Sequence, residues 1–143
     1  MLWRTSDGSL QRTLIGHSAG VNAVAFSAKG DILASGAPYD SVKLWKISDG
    51  SLLNSIPQST NVVTDLAFSP DGNILAVASN NGVIQLLRAS DGSLLIALEG
   101  TAWSYKSVES SYLAFSPDGL LLAYNSPDGT IRIVGVEGFQ IDD

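Results

Sequence analysis

The chain has 143 residues, 45% of them apolar, with 14 acidic against 8 basic side chains and a net charge of −6. That is enough apolar material for one folded domain, and too negative a balance to favour the phosphates of nucleic acid or an anionic membrane surface. The absence of cysteine excludes disulfides and thiolate metal sites, and no apolar run approaches the roughly 18 residues of a membrane-spanning helix.

From the front, Leu2-Trp3-Arg4 reads as a short strand, with a second over Ser9–Ile15 beyond an SDGS turn. The opening MLWRTSDG lacks the apolar stretch and cleavage signal of a secretory leader. With the missing cysteines this fits a reducing compartment, and a cytoplasmic location is expected. Strands are predicted next over Val21–Ser27, Ile32–Ala37, Ser41–Ile47 and Ser51–Ile56. A second group covers Val62–Ser69, Ile74–Ser79, Val83–Arg88 and Ser93–Leu98. A third covers Tyr112–Ser116, Leu120–Asn125 and Thr130–Val134, with a fourth strand drawn from Val136–Ile141. Runs such as Ile74–Ala78 are apolar on both faces, as strands sandwiched between neighbouring sheets should be.

Turn residues separate the runs. Asp-Gly pairs start at Asp7, Asp49, Asp71, Asp91, Asp118 and Asp128. Such a pair suits a tight hairpin, because Gly accepts positive φ and Asp tolerates it. Six carboxylates could also suggest a calcium loop or paired acid–base groups. The hairpin explains each one, and the alternating acidic spacing of a calcium loop is absent. Long helical periodicity is missing, so the chain is expected to be all-β with antiparallel neighbours.

The groups repeat. SDGS recurs at Ser6, Ser48 and Ser90, 42 residues apart each time, and Leu2-Trp3-Arg4 returns as Leu44-Trp45-Lys46. Phe26-Ser27, Phe68-Ser69 and Phe115-Ser116 follow the same beat, except that the last interval is 47. The five extra residues fall in GTAWSYKSVESS, a long connection between groups that carries Trp103, Tyr105 and Lys106.

The ordered set Gly16-His17, VAFS ending at Ser27, ASG around Ser35 and VKLW ending at Trp45 resembles a WD repeat, the unit of a β-propeller. Lys46 stands where the family usually has Asp, Leu87 and Val134 occupy the later Trp positions, and only the first repeat keeps its His. The array is therefore a degenerate one. The resemblance implies an all-β fold: a partial β-propeller of about three four-stranded antiparallel blades plus two N-terminal strands of an incomplete blade. The units would be 1–15, 16–57, 58–99 and 100–143. It further implies a non-catalytic protein–protein interaction scaffold without a cofactor, whose partners are other proteins or the rest of its own propeller.

In the family a buried chain of His, Ser, Asp and Trp ties the loop between blades to the strands. His17, Ser35 and Trp45 match it directly. Asp40 lies five residues before Trp45, where the family Asp is usually six before and Tyr39 stands here. Either the turn is one residue shorter or the fourth member is lost. Nucleophilic catalysis by Ser35, His17 and Asp40 is not expected, because Ser35 lies inside a central strand rather than on a strained, exposed turn.

Tyr39, Gln58, Asn61, Trp103, Tyr105 and Lys106 fall on one rim and are the candidate partner-binding residues, a face that WD-repeat proteins commonly use. Trp103 has two readings: packing under its own loop, or anchoring a partner, since interface hot spots favour Trp and Tyr. Trp3, Trp45, Phe26, Phe68 and Phe115 are expected to be structural. An enzymatic or ligand-binding propeller, lactonase-like or quinoprotein-like, would need a funnel lined with His, Asp, Glu or Arg at matched positions. This chain has one His, and its acids sit in turns. A purely structural propeller segment is the other alternative.

An open arc would bare one apolar sheet face at each end, and such faces are sticky. The chain is therefore expected to be a piece of a longer propeller, or to need a capping partner. A two-fold dimer is not expected to serve: the front strands are third and fourth strands, and the tail supplies late strands too, so the phase is wrong.

Overall fold

The computed structural model describes residues 1–58, 61–99, 112–126 and 128–136. Among these, thirteen strands and no helix form four antiparallel sheets, each built from strands consecutive in the chain. An N-terminal ribbon pairs β1 (Leu2–Trp3) with β2 (Leu10–Arg12). Sheet I holds β3 (Ala23–Phe26), β4 (Ile32–Gly36), β5 (Ser41–Lys46) and β6 (Leu52–Pro57) in that order. Sheet II holds β7 (Val63–Phe68), β8 (Ile74–Ser79), β9 (Val83–Arg88) and β10 (Leu94–Glu99). Sheet III holds β11 (Leu113–Phe115), β12 (Leu121–Asn125) and β13 (Ile131–Gly135).

The repeat is carried into the register. Leu44 faces Asn54 and Trp45 faces Leu52, with one residue bulged between. Forty-two positions earlier, Leu2 faces Arg12 and Trp3 faces Leu10 with the same irregularity. The sheets stack face to face. Ala34, Val42 and Leu44 of sheet I share a core with Val63, Leu66, Leu75 and Val77 of sheet II. Ala76, Ile84 and Leu86 on the other side of sheet II share a second core with Leu122 and Tyr124 of sheet III. β8 is buried along all six residues, because both of its faces are covered. At Gly36 the first two sheets approach so closely that a Cβ would lie 2.4 Å from Val63 Cγ1.

Two of the aromatics expected to be structural stand open. Trp3 is 57% exposed and Phe26 55%. Their counterparts Trp45, Phe68 and Phe115 are covered to different extents because each has a packed neighbour. Among the described residues, no complete sheet lies in front of β3. The opposite end is likewise bare, with Ile131 77% and Ile133 64% exposed. Of the fourth strand expected over Val136–Ile141, only Val136 is described. It is buried, and its N–H donates to the Leu120 carbonyl at 2.9 Å.

Candidate functional site

His17 lies in the connection between β2 and β3, Ser35 in β4, Asp40 in the β4–β5 turn and Trp45 in β5. Folding brings the four side chains into one line. His17 Nδ1 is 2.8 Å from Asp40 Oδ2, and His17 Nε2 is 2.7 Å from Ser35 Oγ. The Trp45 indole N–H donates to the same Ser35 Oγ at 2.7 Å. A carboxylate only accepts, so Nδ1 carries the imidazole proton and Nε2 accepts from the Ser35 hydroxyl. Trp45 also stands edge-on to His17, with ring centroids 6.3 Å apart. It presses on Gly16, where a Cβ would meet the indole at 2.9 Å. The spacing of five residues between Asp40 and Trp45 is therefore a one-residue shortening of the turn, which keeps the carboxylate within reach.

Asp40 holds more than His17. It accepts from the N–H groups of Ser18 at 3.0 Å and Ser41 at 2.7 Å, and from Lys43 Nζ at 3.3 Å. Its pKa lies well below the usual carboxylate range, held there first by the Ser18 amide. Burial opposes the shift, while His17, the Ser41 amide and Lys43 add to it. Lys43 is itself buried and donates to Ser41 Oγ at 2.5 Å, and that hydroxyl also accepts from Ser55 Oγ at 2.8 Å. Ser18, Ser41, Lys43 and Ser55 were not picked out from the sequence. The available signal is that Lys43 alternates with Ser41 and Trp45 on one face of a strand whose opposite face carries Val42 and Leu44.

Chemically, this arrangement fastens a loop and a turn to two strands. The Ser35 hydroxyl is occupied on both sides and lies buried in mid-strand. The turn carboxylates are likewise engaged. Asp7, Asp49, Asp91 and Asp128 each accept the N–H two residues on. Asp49 and Asp128 are lowered to about 2, chiefly by the hydroxyls and amides of Ser51 and Thr130. Among the described residues, no three His, Cys, Asp or Glu side chains converge as metal ligands.

The rim residues separate. Tyr39 is 69% exposed with φ of 53°, a left-handed conformation that only a few per cent of non-glycine residues adopt. Its N–H donates to the Asn61 carbonyl at 3.2 Å, beside a bridge between Pro38 and Val62. Asn61 is half-buried. Gln58 does not belong to the exposed rim. It is buried, with Nε2 donating to Gln85 Oε1 at 2.8 Å and its N–H donating to the Asp40 carbonyl at 3.1 Å. Its role is to lock the turn of sheet I onto β9. Trp103, Tyr105 and Lys106 lie outside the described residues.

Two family profiles match the sequence. "WD domain, G-beta repeat" matches residues 8–46, and "Anaphase-promoting complex subunit 4 WD40 domain" matches residues 55–109. No curated protein matches the chain significantly. Among solved structures, the crystal structure of the RRP9 WD40 repeats is similar, with a TM-score of 0.77 at 23% identity. The match covers 87% of this chain and 38% of that one, so the chain spans about two fifths of its length. In all, 977 chains of solved structures match, so the fold by itself selects no function.

Proposed function

We propose, from the premise that this chain belongs to the WD-repeat β-propeller family, that it is a non-catalytic protein-interaction scaffold working within a larger propeller. Tyr39 is the observation that carries this reading. The polar groups of sheet I are consumed in holding loop, turn and strands together. Beside them an aromatic side chain is displayed to solvent on a backbone fixed by the Asn61 and Pro38 contacts. A rigid, exposed Tyr is the kind of anchor that protein interfaces favour. The proposed partners are other proteins or further sheets of the same propeller. A net charge of −6 lends no support to nucleic acid or membrane. The proposed location is cytoplasmic, to be checked by fractionation of cells expressing the tagged chain.

The test compares proteins retained by the chain and by Tyr39→Asn, quantified by mass spectrometry. Asn tolerates the left-handed backbone, so the fold should persist by circular dichroism. A defined set of retained proteins should fall about tenfold, a loss equivalent to roughly 1.4 kcal/mol. An unchanged set would remove Tyr39 from the interface and the main support for the reading.

A further inference from the structure

We infer that Asn81, in the turn between β8 and β9, is a site of spontaneous covalent modification at which the folded chain converts an amide to an acid. This goes beyond the interaction reading and does not depend on it. Seven turns of the chain place an Asp or Asn directly before a glycine. Six use Asp, and in each the carboxylate accepts the N–H two residues on. The seventh uses Asn81, whose Oδ1 accepts the Val83 N–H at 3.1 Å in the same way. No other asparagine of the chain precedes a glycine. Asn81 is exposed, so water reaches it, and Gly82 has no side chain to shield its backbone nitrogen.

The chemistry is intramolecular. The Gly82 nitrogen, once it has given its proton to solvent base, attacks Asn81 Cγ. A C–N bond forms, the Cγ–Nδ2 bond breaks and ammonia leaves, giving a five-membered imide. Water then opens the ring at either carbonyl, leaving aspartate or isoaspartate, and no atom is oxidised or reduced. The folded turn acts on both partners of the first step. Attack places negative charge on Oδ1, where the Val83 N–H already points. Against it, the Gly82 N–H is held by the Ser79 carbonyl at 3.0 Å. The folded chain therefore reacts when that one bond of the turn opens, and more slowly than an unfolded chain. The six Asp turns stay out of this reaction. Their carboxyls lie below the ordinary carboxylate value: burial opposes the shift, most strongly at Asp71, and the hydroxyls and amides around each carboxyl prevail. An ionised carboxylate resists attack by a nucleophile. The next repeat shows that an acid fits the same turn. Asp128 accepts the Thr130 N–H at 2.9 Å, the Gly129 N–H donates to the Ser126 carbonyl at 3.0 Å, and φ is 82° at Gly129 against 81° at Gly82. There Arg132 Nη2 stands 3.5 Å from Asp128. Gln85 holds the equivalent repeat position and is bonded to Gln58, so a new charge at residue 81 meets no arginine from that position. The carboxylate adds one negative charge to the −6 of the chain, on the rim that displays Tyr39. Val62 joins the two turns, since it exchanges hydrogen bonds with Asn80 and bridges to Pro38.

The experiment incubates the whole chain at neutral and at mildly alkaline pH, folded and in urea, and follows the tryptic fragment ending at Arg88 by tandem mass spectrometry. In the folded chain Asn81 should be the first asparagine to gain the mass of an acid. Its conversion should be faster at the higher pH and slower than in urea, with isoaspartate formed beside aspartate. A more acidic species should grow in step on anion exchange. Asn81→Gln, which would have to close a larger ring, should lose that species. Asn81→Asp should keep the circular dichroism of the wild type. If Asn81→Gln fails to fold, the order of conversion in the wild type still decides. Acid appearing first at another asparagine, or an amide that persists at Asn81 of the folded chain after the urea sample has converted, would overturn the inference. So would acid formed without isoaspartate, which excludes the imide, or an Asn81→Asp chain that does not fold.

Discussion

Tyr39 and Asp40 are adjacent, yet their substitutions should act in opposite directions. Tyr39 holds φ of 53° with a side chain directed to solvent. A left-handed backbone costs an ordinary L-residue about 1–2 kcal/mol, and Asn is among the residues that visit it readily. Tyr39→Asn should therefore raise the unfolding free energy in urea titrations by about 0.5–1 kcal/mol while losing partner binding. Asp40→Asn should lower stability at pH 7 by about 2–3 kcal/mol, because it strips a charge-assisted acceptor from three N–H groups and Lys43. The pH dependence follows from the depressed pKa of Asp40. The unfolded chain takes up the proton near the ordinary carboxylate value of 3.8, and the folded chain only well below it. Its stabilisation is thus full above about pH 5 and declines as the pH falls through 4 and lower. Wild type and Asp40→Asn should converge over that window in denaturant titrations. A constant gap down to pH 3 would mean that the carboxylate is not the group that matters.

Neighbouring elements are fastened at two radii. Near the centre, Gly36 lets β4 approach β7, and a methyl group there would overlap Val63. Gly36→Ala should cost about 1–3 kcal/mol by overpacking, despite the gain in chain stiffness. At the periphery, Arg12 reaches from β2 to the carbonyls of Ser48 and Asp49. One repeat later, Asn54 reaches from β6 to the Asp91 carbonyl at 2.7 Å. Asn54→Ala should cost only about 0.5–1 kcal/mol, since the bond is exposed to water. Urea midpoints for the two variants would rank the clamps, and a larger loss for Asn54→Ala would reverse the order argued here. The strands themselves were legible because turn chemistry and hydrophobic runs agree within each repeat. β8 and β9 have the predicted bounds, Ile74–Ser79 and Val83–Arg88. β3 begins at Ala23 rather than Val21, because the residues before it lie beyond the ladder with β4. The His17–Ser35–Trp45 line could be placed from the family pattern. Lys43 and Gln58 could not, because their burial depends on Asp40, Ser41 and Gln85 arriving from other segments.

At the scale of the whole molecule, exposure is set by position in the stack rather than by a strand's own sequence. Phe26 and Phe68 occupy equivalent positions, yet only Phe68 has a sheet before it. Local periodicity carries no record of that difference. In stacked-repeat architectures each unit gains stability from its neighbours, so the middle unit should open last. Sheet II is covered on both sides, with β8 wholly buried. Amide exchange should therefore run slowest at Leu75, Ala76 and Val77. It should run faster at Val24 and Ala25, and fastest at Ile131 and Ile133. Equal protection of all three sheets would mean that they unfold as a single unit, and the nearest-neighbour account of this chain would fail.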